Sequence, residues 1–265
     1  MSTAPGAPPV PVPIFPDLDG RVAVVTGGSK GIGRAACRML AANGARIAVV
    51  ARSADAIDAT VAELAGAGAD AIGISADAAT AAGVEAARER TERELGPVDV
   101  LLPFAGGFGA FTPVLDIGDD EWRRVIDDNL TSTFLAVRAF APGMRERGRG
   151  SIVAMSSISG RFLDKTVTAS YAAAKAGVLM FIRHAAIELG GAGVRLNAIA
   201  PGTTHSERID EIMDDAALAR AAALSPLGRM GTPEDCAAAA LFLASDASGW
   251  MTGVTLDVSG GRVML

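Results

Sequence analysis

Half of the 265 residues are hydrophobic, enough to build one large core, and α/β folds of this length are routinely a single unit. A formal net charge of −6 with no basic block argues against nucleic acid or an anionic membrane as the main partner. Two cysteines, Cys37 and Cys236, form neither a disulfide framework nor a ligand pair. With only two histidines, no metal site or His-dependent triad is expected, and the usage fits a reducing cytoplasm.

The chain opens MSTAPGAPPVPVPIFPDLDG, with six prolines and no Lys or Arg before Arg21. That composition predicts an extended, disordered tail over residues 1–19, followed by one domain over 20–265. From Gly20 onward two textures alternate. Near-continuous apolar runs recur at RVAVVT (21–26), RIAVVA (46–51), AIGIS (71–75), VDVLLP (98–103), SIVAM (151–155), VRLNAIA (194–200) and GVTLDV (253–258), as buried parallel strands read. Between them lie Ala/Leu/Arg/Glu stretches with helical spacing, including 33–43, 54–65 and 80–95, each followed by glycine. No apolar run is long enough to span a membrane. The expectation is an α/β, Rossmann-type, doubly wound sheet of about seven parallel strands with helices on both faces.

The first strand runs into TGGSKGIG (26–33), then a helix. Gly27, Gly31 and Gly33 suit a tight turn, close approach to a pyrophosphate and close helix packing. Ser29, Lys30 and Ile32 complete the loop, and the helix N-terminus offers free N–H groups to phosphate. Which dinucleotide is bound depends on the end of the second strand, which reads Val49-Val50-Ala51-Arg52-Ser53 with no acid before Asp55. Arg52 and Lys30 can converge on a 2′-phosphate. One charge-assisted hydrogen bond contributes about 1.5–3 kcal/mol, enough to favour NADP(H) roughly ten- to a hundredfold. As a solvated surface charge, Arg52 would leave NAD(H) open.

The only tyrosine, Tyr171, precedes Lys175, one of three lysines against 21 arginines, by one helical turn in YAAAK. The two side chains share a helix face. An ammonium about 5 Å from a phenolate, at an effective dielectric near 20, is worth roughly 3 kcal/mol, or about two pKa units. The expectation is a tyrosine able to protonate an alkoxide, or deprotonate an alcohol, near neutral pH.

In this order the segments TGGSKGIG, DDNLTSTF, MSSISG, YAAAKAG, NAIAPG, SPLGRMGTPED and MTGVTLDVSGG resemble the classical short-chain dehydrogenase/reductase family, from about Asp19 to Gly261. The resemblance implies Ser157 as the residue that hydrogen-bonds the substrate oxygen, with Ser156 and Ser159 as neighbours. It implies Tyr171 as proton donor, and Lys175 as its partner and holder of the nicotinamide ribose. Asn129 would hold, through its backbone carbonyl, a water leading from Lys175. Pro201 and Gly202 would lie under the nicotinamide, with Thr204 beside them and Ser206 where the family has a carboxamide-binding threonine. Asp77 and Ala78 would meet the adenine, and Ala105 and Gly106 would leave room for the cofactor. A homotetramer and a small carbonyl or alcohol substrate are implied as well.

Three departures stand out. Pro103-Phe104-Ala105-Gly106 replaces the family's Asn-Asn-Ala-Gly, so the bracing by those asparagines needs another source. The loop from Ser157 to Tyr171 is one residue longer than usual and carries Arg161, Phe162, Asp164 and Lys165, expected to face solvent. The substrate lid, about 203–226, is rich in acids (Glu207, Asp210, Glu211, Asp214, Asp215), and Gly191-Ala192-Gly193 lacks the arginine frequent in carrier-protein reductases, so a carrier-protein substrate is disfavoured. His184 is expected to pack or be partly exposed rather than to catalyse. NADPH-dependent ketone reduction is thus expected; NAD-dependent oxidation of a secondary alcohol, or dinucleotide binding without turnover, are the alternatives.

Overall fold

The computed structural model describes residues 10–206, 209 and 213–264. Strands β1 (Val22–Thr26), β2 (Arg46–Ala51), β3 (Ala71–Ser75), β4 (Val100–Pro103), β5 (Gly150–Met155), β6 (Val194–Pro201) and β7 (Thr255–Val258) form one sheet. All seven run parallel, in the order β3-β2-β1-β4-β5-β6-β7. The expected runs supply every strand, with β4 and β7 starting two residues later than their runs. Helices α1 (Gly31–Ala42), α2 (Ala54–Gly66), α3 (Ala81–Glu94), α4 (Asp119–Ile126), α5 (Ser132–Glu146), α6 (Ala169–Gly190), α7 (Asp215–Ala223) and α8 (Pro233–Ala244) alternate with them.

Period-two side chains divide the core. Val22 and Val24 face α3, α5 and α6, packing with Val84, Leu135 and Val178. Ala23 and Val25 face α1, α2 and α8, packing with Leu40, Ile57 and Leu241. Burial on both faces explains why the strands are nearly all apolar rather than alternating. The chain leaves β1 towards β2 on one side, while β4 adds on the other. This switch of direction opens a crevice at the carboxyl ends of the strands.

Pro103 sits at the end of a central strand, a place where proline is unusual because it supplies no N–H to the ladder. The Phe104 N–H points to β1 and donates to the Thr26 carbonyl at 3.1 Å. The neighbouring position faces β5, and β4–β5 pairing stops at Val100–Ser151 and Leu101–Ile152. With no N–H at Pro103 to extend it, this ladder ends short of the crevice.

The N-terminal expectation needs correction. Residues 1–9 lie outside the described residues, but 13–19 are fastened to the body rather than forming a tail. The Phe15 N–H donates to Asn43 Oδ1 at 2.6 Å, and Asn43 Nδ2 donates to the Pro13 carbonyl at 2.9 Å. Leu18, in a short turn over Pro16–Leu18, is buried in the α1/α8 core. Burying such a side chain contributes about 1.5–3 kcal/mol, which is what the proline count conceals.

Candidate active site

A cleft of about 1070 Å³ lies at the carboxyl ends of the strands. The glycine loop closes one end of it. Gly27 has φ +70°, and a Cβ there would come within 2.9 Å of the Phe104 carbonyl; at Gly33 a Cβ would stand 2.2 Å from the Gly27 carbonyl oxygen. Gly31, at φ +49°, borders open space. Each glycine of the motif therefore has its own physical reason.

The same loop tests the fit of a dinucleotide. Helices α2, α3, α6, α7 and α8 are capped by the side chains of Ser53, Thr80, Thr168, Asp214 and Thr232. Helices α1, α4 and α5 have no side-chain cap, and α1 opens on the cleft with its first residues, Lys30 to Gly33. Its first N–H groups are left for an anion in the cleft, where the helix dipole favours negative charge. Pyrophosphate suits that donor set.

At the far end of β2, Arg52 is 72 % exposed and stands 3.9 Å from Asp128 Oδ1, a loose pair that leaves its guanidinium available. Lys30 is exposed on the same rim. The Ser53 hydroxyl caps α2, and Asp77 Oδ1 accepts the Ala79 N–H at 2.9 Å, which fixes the carboxylate beside Ala78. In the middle of the cleft, the bracing lost with the two asparagines comes from elsewhere. Thr26 Oγ1 accepts the Ala105 N–H at 3.2 Å. Asn129 Oδ1 accepts from the Gly107 N–H at 3.0 Å, while its Nδ2 donates to the Gly107 and Val125 carbonyls, both at 2.9 Å. Phe104 packs into the α1/α8 core.

Ser157, Tyr171 and Lys175 meet at the other end of the cleft. The Thr168 hydroxyl caps α6 by accepting the Tyr171 N–H, which sets the tyrosine in the first helical turn. Gly160 lets the short turn Ile158–Gly160 lie on this helix; a Cβ there would be 2.7 Å from the Lys175 backbone. The Ser157 hydroxyl donates to Ser159 Oγ at 3.2 Å and borders the cleft beside the phenol. Ser156 is spent on the Lys175 carbonyl at 2.9 Å, while Ser157 and Ser159 bond to each other at the cleft wall. Lys175, 2 % exposed, places Nζ 5.6 Å from the Tyr171 ring centroid and donates to the Met155 carbonyl at 2.9 Å.

The electrostatics run against the expectation of a lowered phenol pKa. Burial pushes the Tyr171 phenol up to about 12, the Ser157 hydrogen bond pulling it back and the Asp164 charge adding to the rise. Burial also brings the Lys175 ammonium from 10.5 down to about 7. Attraction between the two charges is opposed by the cost of taking each out of water, and in this buried pair the second effect dominates.

Every cofactor-contact candidate borders the cleft, as do Ser157, Tyr171 and Lys175; Pro201, Gly202, Thr204 and Ser206 form its floor after β6. The Thr204 hydroxyl donates to the Gly202 carbonyl at 3.1 Å, and Ser206 Oγ accepts the Ile209 N–H at 3.2 Å. Asn129 is fully buried behind this surface, in a π-helical turn over Asp127–Thr131, with its carbonyl accepting the Thr133 hydroxyl. The long loop needs a second correction. Phe162 and Lys165 are exposed, but Arg161 pairs with Asp257 at 3.2 Å and Asp164 with Arg262 at 3.3 Å, all four largely buried. Of the lid acids, Glu207, Asp210 and Glu211 lie outside the described residues. Asp214 caps α7, which turns Ala217, Ala221 and Leu224 to the cleft. His184 is exposed on α6.

Several cleft residues escaped the sequence reading, among them Asp128, Phe108 and Arg262. Phe108 sets its ring 5.5 Å from that of Tyr171, tilted by 60°. Its signal was an aromatic just after the glycines of FAGGFG. Arg262 had none, because its place depends on the C-terminal segment folding back.

The fold is a doubly wound α/β sheet with a crevice at its switch point, where this class of fold takes its ligands. Residues 27–262 match the family model described as Enoyl-(Acyl carrier protein) reductase. The chain is 40 % identical over 247 residues to the Short-chain reductase protein NovJ of Streptomyces niveus, covering 91 % of this chain and 93 % of that protein. It is also 40 % identical over 246 residues to galactitol 2-dehydrogenase (L-tagatose-forming) of Cereibacter sphaeroides, covering 92 % and 95 %. A crystal structure of a 3-oxoacyl-[acyl-carrier protein] reductase with bound NAD from Brucella melitensis superposes with a TM-score of 0.87 at 34 % identity, covering 95 % of this chain and 94 % of that one. The chain belongs to the classical short-chain dehydrogenase/reductase family. It is an oxidoreductase acting between alcohol and carbonyl groups with a nicotinamide dinucleotide.

Proposed function

We propose that the protein is an NADPH-dependent reductase converting a small or medium ketone to a secondary alcohol, reversibly. The observation that carries this reading is the meeting of Ser157, Tyr171 and Lys175 at one end of a cleft whose other end has Arg52, and no acid, at the tip of β2.

The dinucleotide, when bound, supplies or accepts the hydride. The chain's own residues handle orientation and the proton. Ser157 hydrogen-bonds the substrate oxygen and holds it against the phenol. Tyr171 donates its proton to the developing alkoxide; a phenol near 12 gives up its proton reluctantly but suits a strongly basic oxygen. Lys175 anchors the ribose hydroxyls, and its proton-bearing form is favoured there by the Met155 carbonyl. The Asn129 carbonyl keeps a second lone pair beside the one that accepts Thr133, available to a water relay to Lys175.

The test follows loss of reduced-nicotinamide absorbance with NADPH against ketones, β-keto esters, quinones and sugars. Tyr171→Phe should bind NADPH with little change and lose turnover by about 10²–10⁴-fold. Retained turnover would remove Tyr171 from its role. A second reading, NAD-dependent oxidation of a secondary alcohol, is favoured by Asp128, whose carboxylate already faces Arg52 and opposes a 2′-phosphate. A relative named as a galactitol dehydrogenase points the same way. Comparable affinities for NADPH and NADH would favour it. A cytoplasmic homotetramer completes the proposal. Apolar side chains exposed on α4, α5 and α6, namely Trp122, Phe134 and Met180, support the assembly. A monomer by light scattering at micromolar concentration would refute it.

A further inference from the structure

The loop after β4 brings an aromatic ring to the Tyr171 end of the cleft. Gly106 and Gly107 take φ +136° and +154°, a region that residues with side chains rarely enter. A Cβ at Gly106 would stand 2.5 Å from Asn129 Oδ1, and the buried Asn129 side chain bonds both the N–H and the carbonyl of Gly107. The next residue, Phe108, is thereby held with its ring centroid 5.5 Å from that of Tyr171. It is half-buried and borders the cleft, so part of its ring is left to whatever lies beside the phenol. The surrounding wall is apolar as well. Val167, four residues before Tyr171, borders the cleft, and so do Met213, Ala217, Ala221 and Leu224 along one stripe of α7 and its ends. Several polar side chains on this side are engaged with one another. Asp164 accepts the N–H and the hydroxyl of Thr166, at 2.9 and 2.6 Å, and faces Arg262 at 3.3 Å; Arg262 donates to Thr203 Oγ1 at 2.8 Å. Arg220 stands exposed at the rim.

We propose that the substrate of this site is a ketone with an apolar substituent, and that Phe108 selects it by packing that substituent against its ring beside the Tyr171 phenol. The inference rests on the reductase reading above. Ser157 and Tyr171 present hydroxyls to a carbonyl oxygen at the cleft wall. A substituent rich in hydroxyl groups, as in a sugar, would meet carbon at Phe108, Val167 and the α7 stripe, and its hydroxyls would leave water without gaining partners. An apolar substituent exchanges water for carbon contact at the same surface. An aromatic one gains further, because tilted and offset-stacked ring pairs are favourable beyond the area they bury. A ring that served only to wedge Tyr171 in place would have no need to stay open to the cleft, as Phe108 does.

Because the chain has a single tyrosine, binding beside it can be read without turnover. Full-length protein labelled with ring-carbon-13 tyrosine gives one Cζ resonance. Saturated with oxidised dinucleotide, which has no hydride to give, the protein is titrated with acetophenone, pentan-3-one and 1,3-dihydroxyacetone. The last is pentan-3-one with hydroxyls in place of its methyl groups. Pentan-3-one should bind roughly ten- to a hundredfold more tightly than dihydroxyacetone, and acetophenone more tightly still. Phe108→Ala should weaken acetophenone about tenfold or more and leave dihydroxyacetone within about twofold. Phe108→Leu keeps the apolar bulk, so pentan-3-one should stay near its wild-type affinity while acetophenone loses about two- to tenfold. Equal losses for all three ketones in Phe108→Ala would mean that the ring only props Tyr171, and would overturn the inference. Tighter binding of dihydroxyacetone, or an unmoved resonance with every ketone, would overturn it too. If Phe108→Ala does not fold, as judged by its melting curve, the wild-type ranking and Phe108→Leu still decide. The reductase reading fails separately, if no ketone consumes NADPH. Turnover of dihydroxyacetone in preference to the apolar ketones would sink this inference and leave that reading intact.

Discussion

Lys175→Met isolates the largest electrostatic cost visible in the site. The lysine is 2 % exposed, and burial takes its ammonium from 10.5 to about 7. At about 1.36 kcal/mol per pH unit, keeping it charged costs the fold on the order of 5 kcal/mol. The folded value lies below the unfolded one, so between about 7 and 10.5 the unfolded chain binds more protons and stability rises with pH. Below that window the full cost is present; above it the cost is gone. Methionine fills nearly the same volume without a charge. The variant should therefore be the more stable protein at neutral pH, and its lead should shrink by about 3 kcal/mol towards pH 9.5. The Met155 carbonyl loses its donor in the variant, at a cost of roughly 1–3 kcal/mol that is much the same at both pH values. Urea unfolding at fixed protein concentration measures the gap. For a domain of this size 3 kcal/mol is also about 6–12 °C in melting temperature. A gap that does not change with pH would refute the reasoning. Lys175 would then stay charged when folded, held by its carbonyl partner against the desolvation argued here.

Arg52→Ala should weaken NADPH binding about ten- to a hundredfold and leave NADH nearly unchanged, measured by nucleotide fluorescence titration. Equal losses for both would show that Arg52 does not discriminate. Gly33→Ala would force a methyl to 2.2 Å from the Gly27 carbonyl oxygen, so nucleotide binding should fail and stability drop by about 1–3 kcal/mol. Asn129→Leu strips the Gly107 N–H and carbonyl of their partners, and should cost about 2–5 kcal/mol in melting experiments, with weaker cofactor binding as the loop loosens.

The fold was legible because each strand is buried on both faces and so carries its own apolar run, and because glycine loop and Tyr171–Lys175 pair are local patterns. What escaped depends on segments distant in sequence. Phe15 bonds to Asn43, 28 residues away, which no proline count reveals. Arg262 reaches Asp164 across 98 residues, turning a loop acid expected in water into a buried neighbour of the cleft. The bracing expected from two asparagines comes from Thr26, which looks like an ordinary strand end, and from the side chain of Asn129, whose backbone carbonyl alone was expected to act.

The missed electrostatics have a common cause. A sequence shows which charges can meet, and for Tyr171 and Lys175 it showed this correctly. The sign of the outcome depends on how completely both groups leave water, and here the sheet, α6 and the loop after β5 enclose them. With Lys175 near 7 and the phenol near 12, the protein alone keeps the pair close to neutral. A site so poised has its proton affinities set by whatever fixed charge enters or borders the cleft. An oxidised nicotinamide would bring a positive charge of that kind. The tuning read from a four-residue spacing thus belongs to the whole cleft, not to two side chains on one turn of helix.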